Sequence, residues 1–232
     1  MADRFYTPDP LAPGEYTLTG SEAHHLASVR RFVAGDRVTL FNGDGNDYPA
    51  VVLGSGKKSV SLTVLGVEPT ARELPFPLVV ASALPKGDRA DFLIEKLTEL
   101  GVTRFVPLIT ARSVVQPKEA AVEKFTRAAI EASKQCGRNR IMTVDTPRTW
   151  AAFLKLPDIP ERRFVLHTDL ATTGRLVTGA CVVAVGPEGG FAPEEVNAAG
   201  AAGWVAASLG PRVMRVETAA VAAAVVVSGV GQ

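Results

Sequence analysis

Between residues 68 and 77 the sequence changes its period. The segment EPTARELPFP carries three prolines and no repeat of apolar positions. Proline fixes φ and removes a backbone donor, so this reads as a stiff linker between two differently built parts. Upstream, apolar residues alternate in short runs at 38–41, 48–53 and 60–67. The turn signals NGDGN at 42–46 and GSG at 54–56 separate them, as hairpin connections do. One helix is expected among these strands, capped by Ser21, with Leu26 and Val29 facing inward and Gly35 beyond its end. Short strands with one helix suggest a small barrel.

Downstream the pattern is different. LVVA at 78–81 is a continuous apolar run, as in a strand buried on both faces. Asp88 can cap a helix whose Ala90, Leu93, Leu97 and Leu100 share one stripe, with Gly101 as its stop. FVPLI at 105–109 is the next strand, and a helix follows with Phe125, Ala129, Ala132 and Cys136 on one side and Gly137 at its end. Later strands fall at 163–167, 181–185 and 205–209. This alternation predicts an α/β domain with a mainly parallel sheet.

Composition narrows the function. The formal charge is only +1, so any footprint for nucleic acid must be local. Cys136 and Cys181 form no C-x-x-C pair, which argues against a disulfide framework or a zinc site and fits a reducing compartment. The N-terminal residues hold no apolar signal core, and the apolar stretch at 219–227 is nine residues long, too short for a bilayer. A cytoplasmic protein without membrane or metal is expected.

In parallel α/β sheets, ligands gather at the carboxyl ends of strands. Three late strands end in distinctive loops, LHTD at 166–169, GPEGG at 186–190 and LGPR at 209–212. None is a G-x-G-x-x-G or a phosphate-binding P-loop. Glycine lets backbone amides and carbonyls approach a ligand closely, and proline stiffens the turn. A flat heterocycle with donors and acceptors on its rim, such as adenine, suits a pocket of this kind. Beyond the last loop runs VMRVETAAVAAAV, a helix apolar on every face after Thr218 and so expected to be buried. Arg215 and Glu217 at its mouth need either each other or a ligand, and an anchoring ion pair and a catalytic role both stay open.

Taken together, KGDRADFLIEKLTELGVTRFVPLITARS, VGPEGGF and LGPRVMRVETA resemble the RsmE family of RNA methyltransferases, within the SPOUT superfamily. RFYTPDP, HHLASVRRFVAGDRVTLFNGDG and KQCGRNR extend the resemblance over nearly the whole chain. It implies a PUA-like RNA-binding β-barrel over residues 1–72 and a SPOUT α/β trefoil-knot methyltransferase domain over residues 73–232. It also implies a homodimer, S-adenosylmethionine as methyl donor, and methylation of uridine N3 in 16S rRNA of the small ribosomal subunit. The cofactor would be held by Leu166, His167, Gly186, Pro187, Gly189, Gly190, Leu209, Gly210, Val213, Met214 and Thr218. Met214 replaces the leucine usual there, a volume-conserving exchange.

Methyl transfer to N3 needs a deprotonating nitrogen, so Arg215 would stabilise the developing anion or position the base. Glu217 would orient Arg215 or accept the proton. Glu188 reads as a partner of the next helix dipole rather than as the base. Residues 112–148 hold eight basic against four acidic residues, which makes Arg112, Lys134, Arg138 and Arg140 candidate RNA contacts. Arg30, Arg31, Lys57 and Lys58 are candidates in the barrel. His24 and His25 diverge on their helix and suit packing or RNA better than a metal. A ribose 2′-O-methyltransferase of the same superfamily is one alternative, although the Asn…Arg pattern of those proteins is missing at KGDR, 86–89. A non-catalytic RNA-binding protein with a relic pocket is the other.

Overall fold

The computed structural model describes residues 3–56, 58–70, 72–168 and 174–229. The chain divides into two units, Met1–Glu73 with Ser133–Ile141, and Leu74–Ala132 with Met142–Gln232. The return of Ser133–Ile141 to the first unit is not legible from the proline-rich linker, because composition marks a boundary and not a distant contact.

In the first unit the elements are β1 (Arg4–Tyr6), β2 (Gly14–Thr19), α1 (Gly20–His24), β3 (Arg37–Phe41), β4 (Asn46–Ser55), β5 (Ser59–Val64) and β6 (Glu68–Pro69). The sheet order is β1-β3-β4-β5-β2, with β6 on β4, and among the described residues only the β1–β3 ladder is parallel. Alternation explains it: β5 sends Val60, Leu62 and Val64 inward, where they meet Leu18, Leu40, Ala50 and Val52 in one core. Each such side chain contributes about 1.5–3 kcal/mol on burial. Alternation also explains what the sequence hides. β1 has three residues, and in β2 only Leu18 is buried, so neither carries an apolar rhythm.

The helix differs from expectation. It starts at Gly20 behind Thr19, not behind Ser21, and continues as a π-helical turn, His25–Val29, in which the Arg30 amide donates to His25 O at 2.9 Å. The wider turn keeps Leu26 buried but carries Val29 into solvent, 60% exposed.

The second unit runs β7 (Leu78–Ala83), α2 (Arg89–Glu99), β8 (Arg104–Ile109), α3 (Ala120–Cys136), β9 (Thr143–Val144), β10 (Arg148–Thr149), α4 (Trp150–Phe153), β11 (Arg163–Leu166), β12 (Cys181–Val185), α5 (Pro193–Ala201), β13 (Val205–Ala207) and α6 (Val216–Ser228). Among the described residues every ladder is parallel, in the order β10-β8-β7-β12-β11-β13 with β9 beside β8. The continuous apolar runs of β7 and β12 are buried throughout and lie at the centre of the sheet.

Helix α6 packs on α2, β7 and β12 through Val216, Ala220, Ala223, Ala224 and Val227. Its uniform apolarity does not bury every face, since Val225 and Val226 remain 38% and 39% exposed. A separate cluster joins Trp150, Phe153, Phe191 and Trp204 to Val79, Ala81, Val182 and Ala184 of the sheet. The four-residue α4 is too short to show a period; the Thr149 hydroxyl caps it by accepting the Ala152 amide at 3.3 Å. From β7 the chain builds outward to β8 and β10, then crosses to β11, β12 and β13. The carboxyl ends of these last three strands are neighbours.

Candidate functional site

At those carboxyl ends lies a cavity of about 250 Å³. Leu166 at the end of β11 and His167 beyond it, Gly186, Pro187, Gly189 and Gly190 after β12, and Leu209, Gly210, Val213 and Met214 after β13 all line it. The sequence anticipated each of them. Thr218 is the exception: it is exposed on α6, whose Val216 and Ala219 face the cavity instead. Val185, Phe191 and Ser208 also line it and were not foreseen, and Arg212 of the LGPR loop joins them. Ser208 was recoverable, because a serine two residues before a glycine commonly closes a local turn. Its hydroxyl accepts the Gly210 amide at 3.1 Å.

Two glycines are required here for different reasons. At Gly186 a Cβ would lie 3.0 Å from Phe191 Cδ2 and 3.1 Å from Phe191 N, so the backbone of the turn runs directly over that ring. Gly210 has φ +109°, a conformation that other L-residues rarely adopt. Between them, Gly190 N–H donates to Pro187 O at 2.8 Å and closes the GPEGG turn. The walls are therefore largely backbone and small apolar side chains, with Arg112, Arg212 and Glu188 as charged groups at the lining.

The two catalytic candidates separate. Arg215 is the exposed N-cap residue of α6, between cavity-lining Met214 and Val216, but does not itself line the cavity. Glu217 is 6% exposed and accepts from Arg89 Nη1 at 3.3 Å, while its Oε2 has no partner among the described residues. Glu217 is thus a buried carboxylate held by α2, and it is absent from the cavity wall. The structure favours the anchoring ion pair over a proton acceptor.

The basic candidates also divide. Arg30 pairs with Asp3, Arg31 is exposed with φ +58°, and Lys58 is exposed. Lys57 lies outside the described residues. Lys134 and Arg138 do not stand on a free surface: Lys134 Nζ donates to Glu22 Oε1 at 2.8 Å, and Arg138 Nη2 to Glu73 Oε2 at 2.6 Å. Arg138 is only 3% exposed. The Ser133–Ile141 segment belongs to the first unit and these acids neutralise its charge, so both residues are corrected to internal pairs. Arg140 is exposed against Gly45, and Arg112 is found at the cavity.

No group of His, Cys, Asp and Glu among the described residues has a metal-binding arrangement, and none of their helices is long and apolar enough to cross a membrane. His25 packs edge-on against Phe5 at 5.9 Å. Burial in β12 pushes the Cys181 thiol up to about 11, against a small downward pull from Arg162. Iodoacetamide at mildly alkaline pH is expected to spare Cys181 until the protein unfolds. Peptide mapping checks this, and labelling of Cys181 in folded protein would contradict it.

Two family models match the chain, an RNA methyltransferase domain over residues 72–228 and an RNA methyltransferase PUA domain over residues 18–65. The ribosomal RNA small subunit methyltransferase E of Bacillus subtilis is 31% identical over 88% of this chain and 86% of its own length. The protein of that name from Neisseria gonorrhoeae, solved bound to S-adenosyl methionine, superposes with a TM-score of 0.88 at 31% identity, covering 97% of this chain and 95% of that one. A Legionella pneumophila protein solved with bound SAM gives a TM-score of 0.90 at 32% identity, covering 99% and 98%.

Proposed function

This chain belongs to the family of ribosomal RNA small subunit methyltransferase E and is an rRNA methyltransferase that uses S-adenosylmethionine; within that activity, we propose that its target is N3 of a uridine in 16S rRNA. The observation that carries the reading is the convergence of three strand-tip loops on one cavity. The cofactor fits this setting: Gly186, Gly189, Gly190 and Gly210 line the cavity, and glycine lets peptide groups come close to a planar, polar-edged ligand. Gly186, Pro187, Leu209 and Gly210 would hold the adenosyl part, and Val213 and Met214 would exclude water from it. When bound, S-adenosylmethionine supplies an electrophilic methyl group on a sulfonium.

The residues of the chain do the rest. Uridine N3–H sits between two carbonyls, so charge develops on the pyrimidine as the proton leaves to solvent water. A cation beside it favours that charge, and the exposed Arg215 is the group we assign to this work. Glu217 anchors α6 to α2 and thereby fixes where Arg215 begins. Most of the acceleration would come from holding the reactants in line. Arg30, Arg31, Lys58, Arg140 and Lys57 are the remaining candidates for phosphate contact. The same reading includes a trefoil knot in the sheet unit, a homodimer, the small ribosomal subunit or its 16S rRNA as partner, and a cytoplasmic location.

The test is methyl transfer to unmodified 16S rRNA and to assembled small subunits, followed by nuclease digestion and mass spectrometry. N3-methyluridine is the expected product, and Arg215→Ala is expected to slow single turnover by about 10²-fold or more, as for loss of one charge-stabilising donor. A 2′-O-methylated nucleoside, or an Arg215→Ala protein of undiminished rate, would overturn the assignment.

A further inference from the structure

The glycine turn after β12 is held by a brace that reaches it from a different loop. Glu195 occupies the third position of α5, and its Oε2 accepts the Ala192 amide at 2.8 Å. This reach back to the cap residue is common for a glutamate at that position. Such a glutamate usually leaves its other oxygen in water. Here Oε1 accepts the Ala111 amide, also at 2.8 Å, from the loop that follows β8. The next residue, Arg112, donates Nη1 to Gly189 O at 2.7 Å, and its Cδ lies 3.4 Å from where a Cβ at Gly189 would stand.

These contacts close a ring. One carboxylate ties the loop of Ala111 to the start of α5, and the arginine beside Ala111 ties the same loop to the turn that precedes α5. Both anchor points are stiff. The Thr110 amide donates to Ser113 Oγ at 3.0 Å and the Ser113 amide to Thr110 O at 3.1 Å, so the first loop is a closed turn. Trp150 Nε1 donates to Glu195 O at 2.9 Å, which holds α5 from the aromatic cluster. Hydrogen bonds with one ionised partner are stronger than neutral ones, and here both cross-links between the loops are of that kind.

We infer that Glu195 is a positioning residue for methyl transfer, acting through Ala111 and Arg112 to hold the turn at 186–190 in the shape that receives the cofactor. The inference rests on the reading that this cavity takes S-adenosylmethionine. It also reassigns Arg112 from RNA contact to cavity wall, since its Nη1 donates to Gly189 O.

The experiment compares the full-length protein with Glu195→Ala, Glu195→Gln, Arg112→Ala and the double variant. Calorimetric titration with S-adenosylmethionine gives affinity. Amide hydrogen exchange without cofactor reads the Gly190 amide, which donates to Pro187 O. Each alanine variant is expected to bind the cofactor about tenfold more weakly, the order of one lost charged hydrogen bond. The double variant is expected to be no weaker than the worse single one, because both act on one turn. Glu195→Gln keeps one acceptor and recovers part of the loss. Gly190 exchange quickens in every variant, and the salt dependence of RNA binding stays as in wild type. If Glu195→Ala does not fold, Glu195→Gln and Arg112→Ala carry the comparison. Additive losses, unchanged affinity and exchange, or an Arg112→Ala effect confined to the salt slope would each overturn the brace. A wild-type protein that takes up no cofactor would sink the functional reading instead, while the exchange comparison would still decide the brace.

Discussion

Gly186→Ala is expected to cost the protein most of its cofactor affinity, on the order of tenfold to a hundredfold, the range set by roughly 1–3 kcal/mol of overpacking strain. The added methyl would sit 3.0 Å from Phe191 Cδ2 and 3.1 Å from Phe191 N. Neither neighbour can withdraw cheaply. Phe191 is 3% exposed and its ring lies 4.5 Å from Trp150, which in turn meets Phe153 and Trp204 at 5.9 and 5.8 Å. The turn must therefore move, and with it the peptide groups that line the cavity. Gly200→Ala is the control, since Gly200 lies on α5 away from the cavity wall and its new methyl would meet nothing within 4 Å. Calorimetry with S-adenosylmethionine, beside thermal unfolding, separates loss of shape from loss of fold. Shortening the ring with Phe191→Leu in the Gly186→Ala background should restore part of the affinity. If Gly186→Ala bound as tightly as Gly200→Ala, close approach at this glycine would have no part in recognition.

The case of Gly186 indicates which parts of the site could be read from residue order. Glycine and proline at strand tips are local signals, and one strand that carries them, β12, is a continuous buried apolar run. Both kinds of information sit within a few residues, so the three loops were visible before any packing was known. The role of Glu217 was not. Whether a carboxylate at the start of a helix faces a ligand or a neighbouring helix depends on Arg89, a residue that only tertiary packing brings to it. The same limit applies to Lys134 and Arg138. A dense run of basic residues in sequence resembles a phosphate-binding surface until Glu22 and Glu73 are found against it.

The fold follows the same division. Long elements with a regular period were legible, whereas α4, β1 and β2 were not, because they are too short or too exposed for periodicity to register. A π-helical turn has no compositional mark at all, which is why Val29 was expected inside. The aromatic cluster beneath the glycine turn was missed for another reason. Trp150, Phe191 and Trp204 come from separate elements, and no spacing rule links them.

Asp47→Ala is expected to unfold the first unit selectively. Asp47 accepts from Arg4 through both carboxylate oxygens, at 2.8 and 2.9 Å, and from Arg72 Nη1 at 3.0 Å. Arg4 is 4% exposed at its side chain and stacks 4.7 Å over Phe41, so removing the carboxylate strands a guanidinium in the core. Breaking one side of such a buried pair typically costs about 3–5 kcal/mol. Against a domain stability of roughly 5–15 kcal/mol, that is a large share.

The chain supplies its own reporters for this test. Its three tyrosines, Tyr6, Tyr16 and Tyr48, lie in the first unit, and its two tryptophans, Trp150 and Trp204, in the second. The tyrosine near-ultraviolet signal should melt well below the tryptophan fluorescence in Asp47→Ala, and coincident melting would refute the local origin of the loss. Acid provides the second arm. Burial raises the Asp47 carboxyl, but hydrogen bonding and charge from Arg4, then from Arg72, outweigh it and hold the group below the usual carboxylate range. A depressed value means that the stabilisation is complete above the unfolded carboxylate value of about 3.9 and is lost as pH falls through the folded one. The stability gap between wild type and Asp47→Asn should therefore be flat at neutral pH and close only in strong acid. A gap that instead narrowed between neutral pH and pH of about 5 would trace the loss to other titrating groups.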